Sequence, residues 1–243
     1  MNFKDKVALI TGGNSGIGYA TAKELIENGA TVVITGRRKE AVEKAANELG
    51  ATGLVADQSR VEDIKQLMTA VAERYGKIDI MLVNAGISKT APIESTSEEL
   101  FDEVMNVNFK GAFFTLSLSI PILNEKASVV LLSSSSAHIS PRTASVYAAS
   151  KSALNTLMKI AALELAGRQI RVNAVSPGPV ATEIMRKGGV NGDRNLEQMI
   201  LDSVPLHRFG TPQEVAKLVA YLAGEEAAFI TGSEFLIDGG QSA

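Results

Sequence analysis

The sequence predicts an α/β fold, a single domain on a doubly wound, parallel, seven-stranded sheet with helices on both faces. Three observations carry this. Short apolar runs rich in Val and Ile recur seven times along the chain. Amphipathic segments of helical period separate them. No Pro/Ser/Gly-rich linker, internal repeat or low-complexity tract divides the 243 residues. Near-continuous apolar strands alternating with helices imply a parallel sheet covered on both faces, and right-handed crossovers make it doubly wound.

The strand candidates begin with KVALIT (6–11), which runs into a glycine turn and the helical pattern ATAKELIEN (20–28). TVVIT (31–35) leads to KEAVEKAANELG (39–50), and GLVA (53–56) to VEDIKQLMTAVAERYG (61–76). DIMLV (79–83) precedes a hydrophobic helix over 100–123, and SVVLLS (128–133) precedes a second over 148–166. IRVNAV (170–175) and EFLI (234–237) complete the sheet. Between them lies an irregular stretch, 176–212, rich in Gly and Pro with weak periodicity. Ligands of open α/β sheets sit beyond the carboxyl ends of the strands, so this insertion reads as a substrate lid over about 180–205.

Composition narrows the function. Hydrophobic residues make up 45% and charged residues 21%, with a net charge of −3, as in ordinary globular domains. There is no broad basic face for nucleic acid or anionic membrane. The absence of cysteine removes disulfides, thiolate catalysis and cysteine-bound metals. His138 and His207 form no metal motif, so no metal site is expected. The apolar run of four residues near the N-terminus is too short for a signal peptide, and no stretch is long enough to span a bilayer. The expected location is the cytoplasm.

VALITGGNSGIGYATAKEL runs strand, glycine turn, helix. Gly12, Gly16 and Gly18 allow a tight turn and close backbone approach to a diphosphate, and the helix N-terminus offers free N–H groups. An NAD-binder tends to place an acid at the end of the second strand, for the ribose 2′-hydroxyl. Here TGRR supplies Arg37 and Arg38 instead. Guanidinium forks suit a 2′-phosphate, so NADP(H) is favoured, with NAD(H) the alternative if the arginines are merely solvated. Asp57 after the third strand is placed to accept from an adenine amino group. Asn84, Ala85 and Gly86 after the fourth let backbone lie against the adenosine ribose, though all of these are also good turn residues.

SVYAASKSAL raises a sharper question, because it sets Tyr147 four residues before Lys151. On a helix these share one face, roughly 6 Å apart along the axis. A phenol with a pKa of about 10 exchanges protons poorly at neutral pH. A nearby ammonium, helped by a cationic oxidised nicotinamide, would bring it toward 7, by about 3 units at most for a charge ~4 Å away. LLSSSSAHIS, at the end of the fifth strand, supplies hydroxyls to polarise the same oxygen.

With these segments in order, residues 4–240 closely resemble the short-chain dehydrogenase/reductase family: TGGNSGIG, NAG, YAASK, VNAVSPGPVATE and FITGSEFLIDGG each match a family segment. The resemblance implies a Rossmann fold. It implies that Tyr147 donates the proton in carbonyl reduction and accepts it in alcohol oxidation, while Lys151 lowers its pKa and bonds the nicotinamide ribose. The family serine lies thirteen positions before the tyrosine, at Ser134, with Ser133, Ser135 and Ser136 as neighbours that compete for the role. Asn108, rather than Asn106, matches the asparagine that holds a proton-relay water. Loop residues Asn14, Ser15 and Ile17, with Pro177, Gly178 and Val180 beyond the sixth strand, are expected at the cofactor. Thr182 matches a residue that fixes the carboxamide. Ser15 is a departure: NADP-preferring relatives often carry a basic residue there.

The expected activity is reversible hydride transfer between a nicotinamide and a carbonyl or secondary alcohol, as in a carbonyl reductase or alcohol dehydrogenase. A cofactor-sensing scaffold on the same fold is the reading from another class, and a dehydratase or epimerase would keep the fold and change the chemistry. The substrate pocket is expected to draw on Ile87, Ser88, Ser136, Ile184 and Met185. His138 either lines it or is solvated. Keto esters, aryl ketones, sugars and acyl-carrier ketones are not separated by any residue. The resemblance also implies a homodimer or homotetramer.

Overall fold

The computed structural model describes residues 1–182 and 194–243, with backbone only at 194. Ile184 and Met185, assigned above to the pocket, lie outside the described residues. Seven parallel strands are arranged in the order β3-β2-β1-β4-β5-β6-β7. They are β1 (Val7–Thr11), β2 (Thr31–Gly36), β3 (Thr52–Val55), β4 (Ile78–Val83), β5 (Leu123–Leu132), β6 (Arg171–Pro177) and β7 (Glu234–Ile237). The chain steps outward from β1 to β3, then returns to lay β4 along the other side of β1, pairing Ala8 with Ile80 and Ile10 with Leu82. This reversal is a topological switch point, where a crevice opens beyond the strand ends.

The helices are α1 (Gly16–Glu27), α2 (Lys39–Leu49), α3 (Val61–Tyr75), α4 (Glu98–Met105), α5 (Ala112–Ser119), the short α6 (Ser136–Ile139), α7 (Ser145–Leu165), α8 (Arg194–Asp202) and α9 (Pro212–Ala223). Alternate strand residues feed two cores. Leu9, Val33, Met81 and Leu131 pack with Ile64, Leu116 and Met158 under α3, α5 and α7. Ile10, Ile34, Leu82 and Val175 pack with Leu25, Val219 and Leu222 under α1 and α9. Both sheet faces are covered, which is why the strands read as unbroken apolar runs.

Apart from an early start of β5 at Leu123, two segments differ from the sequence expectation. The helix expected over 100–123 is broken: Asn106–Gly111 is a π-helix between α4 and α5. In addition, α8 lies inside the stretch read as irregular, because nine residues are too few to announce a period against their Gly-rich surroundings. The π segment is packed without slack. A Cβ on Gly111 would lie 2.2 Å from the carbonyl oxygen of Gln58 and 2.6 Å from its Cγ. Gly111→Ala is therefore expected to destabilise the protein by about 1–3 kcal/mol, lowering Tm by about 2–12 °C in a thermal melt. An unchanged Tm would mean the π segment yields freely.

Candidate active site

The crevice is closed at its base by hydrogen bonds between the ends of β1 and β4. Thr11 is buried, and its Oγ1 accepts from the backbone N–H groups of Asn84 (3.0 Å) and Ala85 (3.1 Å). The Asn84 amide donates to the carbonyls of Thr11 (2.8 Å) and Gly12 (3.1 Å). Asn84 thus fixes the glycine loop with its side chain. Thr11 escaped the sequence reading because a threonine ending a strand is unremarkable until its partners are known.

The glycine loop has the shape a diphosphate requires. Gly12 and Gly16 have φ of 64° and 56°, in the left-handed region that only glycine enters cheaply. A Cβ on Gly18 would lie 2.4 Å from the carbonyl oxygen of Gly12. Ser15 caps α1 without a side-chain hydrogen bond, and the first turn carries no acid. Its N–H groups are therefore neither occupied by a side-chain cap nor opposed by a carboxylate. Ile17 is part of this first turn and packs against the α1/α9 core. Thr182 reaches across the loop, its Cγ2 3.4 Å from where a Gly16 Cβ would stand. These features fit a dinucleotide whose diphosphate lies on the Gly12–Gly18 loop.

The flanking residues extend the same crevice. Asn14 Oδ1 occupies the space a Gly36 side chain would need, so loop and β2 end are in contact. Arg37 and Arg38 follow directly, exposed and without an ion pair among the described residues. Asp57 Oδ1 accepts from the N–H (2.9 Å) and hydroxyl (2.7 Å) of Ser59, which fixes the turn after β3. Gln58, unforeseen from sequence, donates to the carbonyl of Ala85 (3.2 Å) and holds that turn to the β4 end. At the far side, Gly178 leaves no room for a side chain against Asp238, its N–H donates to the Ile237 carbonyl (3.0 Å), and Pro177 accepts from Ser135 N–H (2.9 Å). Val180 is buried and bridges to Gly210.

Tyr147 and Lys151 lie one turn apart on α7, with the Lys151 Nζ 5.8 Å from the centre of the Tyr147 ring. Of the four serines after β5, Ser134 is the one that acts on the phenol, its hydroxyl opposing the rise in pKa. Ser133 Oγ donates instead to the Lys151 carbonyl (3.1 Å) and Ser135 Oγ to Gln241 (3.1 Å). Ser136, partly exposed, donates its N–H to Ser134 Oγ (3.1 Å). That bond orients the hydroxyl. Asn108, in the π segment, is buried and clamps Ile87 from both sides, accepting its N–H (2.8 Å) and donating to its carbonyl (2.9 Å). Its amide also donates to Ser150 Oγ (3.2 Å), which donates to the Tyr147 carbonyl (2.7 Å). The π-helix is what turns Asn108 inward, a common use of that geometry at functional sites.

The electrostatics differ from the sequence expectation. Burial pushes the Tyr147 phenol above its ordinary 10.0, with the Ser134 hydroxyl acting against it. Lys151 is not among the causes. Its own ammonium is desolvated, which lowers its pKa from 10.5 to about 8, and it donates to the Leu132 carbonyl at 2.8 Å. By itself the pair is therefore a neutral phenol beside a weakly held cation. His138, considered above for the pocket, has its Nε2 2.7 Å from Glu234 Oε1 on β7.

A protein-family model described as enoyl-(acyl carrier protein) reductase matches residues 12–242. The NADP-dependent (R)-specific alcohol dehydrogenase of Lentilactobacillus kefiri is 36% identical over 251 residues, covering 99% of this chain and 98% of its own. Among solved structures, a short-chain dehydrogenase/reductase of Serratia marcescens superposes with a TM-score of 0.93 at 33% identity, over 100% of both chains. A blue fluorescent protein from a metagenomic library, in complex with NADPH, superposes with a TM-score of 0.94 at 28% identity, again over 100% of both chains.

Proposed function

The chain belongs to the short-chain dehydrogenase/reductase family of oxidoreductases, and from that premise we propose that it interconverts a carbonyl and a secondary alcohol with NADP(H). The single observation that carries this is the Ser134–Tyr147–Lys151 arrangement at the strand ends next to the glycine loop. When bound, the dinucleotide supplies the two-electron redox chemistry that no side chain here provides.

Each residue then has a task that its chemistry suits. The Tyr147 hydroxyl holds the proton that the substrate oxygen gains in reduction, and its raised pKa keeps it there at neutral pH. The Ser134 hydroxyl acts on that same phenol, so a carbonyl oxygen between the two hydroxyls would accept from both. Lys151, already bonded to Leu132, keeps donors for a ribose hydroxyl on the phenol side. Asn108 holds Ile87 and, through Ser150, the first turn of α7. Ser136, following Ser134, borders the substrate side. The Pro177–Thr182 turn reaches the glycine loop through Thr182 and would set the nicotinamide face.

Two arginines at the tip of β2, without an ion pair among the described residues, favour the 2′-phosphate, as does the NADP dependence in the name of the Lentilactobacillus kefiri relative. The test is a paired equilibrium titration with NADPH and NADH at fixed ionic strength. We expect NADPH to bind more tightly, and Arg37→Asp to weaken it by about 10–100-fold, as loss of a charge-assisted fork and gain of a repelling charge would do. Equal binding of the two cofactors in the unmodified protein would remove the NADP assignment. A carbonyl screen with NADPH then tests the reaction. Association into a dimer or tetramer, at a cytoplasmic location, belongs to the same reading: Phe113, Ile160 and Leu163 leave apolar surface exposed on α5 and α7, and sedimentation would measure it.

A further inference from the structure

Glu234, the first residue of the edge strand β7, gathers three donors on one carboxylate oxygen. Its Oε1 accepts from Ser176 Oγ at 2.5 Å, from the Asn155 amide at 2.8 Å and from His138 Nε2 at 2.7 Å. Each donor stands next to a part of the candidate active site. Ser176 precedes Pro177 at the end of β6. Asn155 follows Lys151 by four residues and Tyr147 by eight, so it continues their stripe along α7. His138 lies in α6, which begins two residues after Ser134. One carboxylate therefore fastens three separate elements of the site to a strand that itself contributes no reacting group.

Two further features make this more than an incidental surface pair. Asn155 is buried, and its Oδ1 has no hydrogen-bond partner among the described residues. Turning the amide over would set that oxygen against Glu234 Oε1, so the fold leaves one acceptor unsatisfied to keep the donor on the carboxylate. The loop joining α6 to α7 also holds Ser140 and Thr143 at φ of 47° and 66°. Non-glycine residues stay in that region only when their surroundings hold them there. His138–Glu234 anchors the loop on its α6 side and Asn155–Glu234 on its α7 side.

We propose that Glu234 is a positioning residue: it holds the Ser134 segment and the Tyr147–Lys151 face of α7 in register across a strained loop. Its effect on turnover rests on the reading of the previous subsection, whereas its effect on order does not. The test compares Glu234→Gln, which keeps an acceptor oxygen at the same reach, with Glu234→Leu, which removes it. In Glu234→Leu, amide hydrogen exchange over 134–139 should accelerate by about tenfold or more. NADPH affinity should stay within about threefold of the unmodified protein, since the glycine loop is untouched. With ethyl acetoacetate as probe, kcat should fall by about 10–100-fold while KM changes less, as expected of a displaced acid. Glu234→Gln should restore exchange and kcat to within about threefold.

A folded Glu234→Leu with unchanged exchange over 134–139 and unchanged kcat would overturn the proposal. If that variant does not fold, His138→Ala removes only the α6 arm and is judged by the same exchange rates. Absence of carbonyl turnover in the unmodified protein would sink the enzymatic reading instead, and the exchange rates would still decide the role of Glu234.

Discussion

Tyr147→Phe is expected to reduce carbonyl turnover by about 10²–10⁴-fold, the range removed with a general acid, while cofactor affinity and Tm remain nearly unchanged. The substitution deletes one oxygen. Ser134 Oγ loses the phenol but keeps the Ser136 N–H at 3.1 Å, so no polar group is left wholly without a partner there. The ring continues to fill its place on α7. A steady-state assay paired with an NADPH titration separates the outcomes. Loss of kcat at constant Kd places the proton on Tyr147. Retained turnover would mean that the acid lies elsewhere, with Ser134 the first to examine.

The second large effect concerns Lys151, where function and stability are expected to pull apart. Lys151→Met should reduce turnover by about 10²-fold or more and yet stabilise the protein with no cofactor bound. The ordinary ammonium pKa of 10.5 falls to about 8 on burial. Below pH 8 both folded and unfolded chains carry the proton, so the folded state bears the full penalty of a desolvated charge. That penalty is about 3 kcal/mol for the 2.5 units between 10.5 and 8. Losing the Leu132 hydrogen bond takes back about 1 kcal/mol. The net gain of about 2 kcal/mol corresponds to about 4–8 °C in Tm at pH 7.

Between about pH 8 and 10.5 the unfolded chain binds more protons at Lys151 than the folded one does, so raising the pH favours the native lysine protein. The Tm difference between Lys151→Met and the unmodified protein should therefore shrink across that window. The raised phenol of Tyr147 acts the other way, costing stability above pH 10, where only the unfolded phenol ionises. It is common to both proteins and cancels in the comparison. A Lys151→Met variant that melts lower at pH 7 would show that the ammonium has a partner stronger than the Leu132 carbonyl.

How much of this was legible in the sequence depends on the range of the interaction that fixes each feature. Strands buried on both faces announce themselves through uninterrupted Val and Ile, so all seven were placed to within a few residues, apart from the early start of β5 at Leu123. The spacing of Tyr147 and Lys151 is local and was equally plain. The neutral, raised phenol was not, because desolvation depends on everything packed around the ring. Asn108 could be told from Asn106 only by the family pattern, since the π-helix that directs it inward leaves no mark on helical periodicity. Glu234 and Gln58 went unnoticed for the same reason: their partners are distant in sequence. A lone acid opening an otherwise apolar strand was the available signal, and asking what partners such a carboxylate would have led to Glu234.

The switch point between β1 and β4 also has a consequence for the order in which the chain is made. β2 follows β1 within a few tens of residues, but the partner for the other edge of β1 arrives late: Ile80 pairs with Ala8, 72 positions earlier. At about 5–20 residues per second, that edge waits roughly 4–14 s on the ribosome. During the interval β1 is an unfinished apolar strand with a free row of N–H and C=O groups, the kind of edge on which chains join one another. The topology that opens the cofactor crevice in the finished protein thus also sets how long that edge stays open during synthesis.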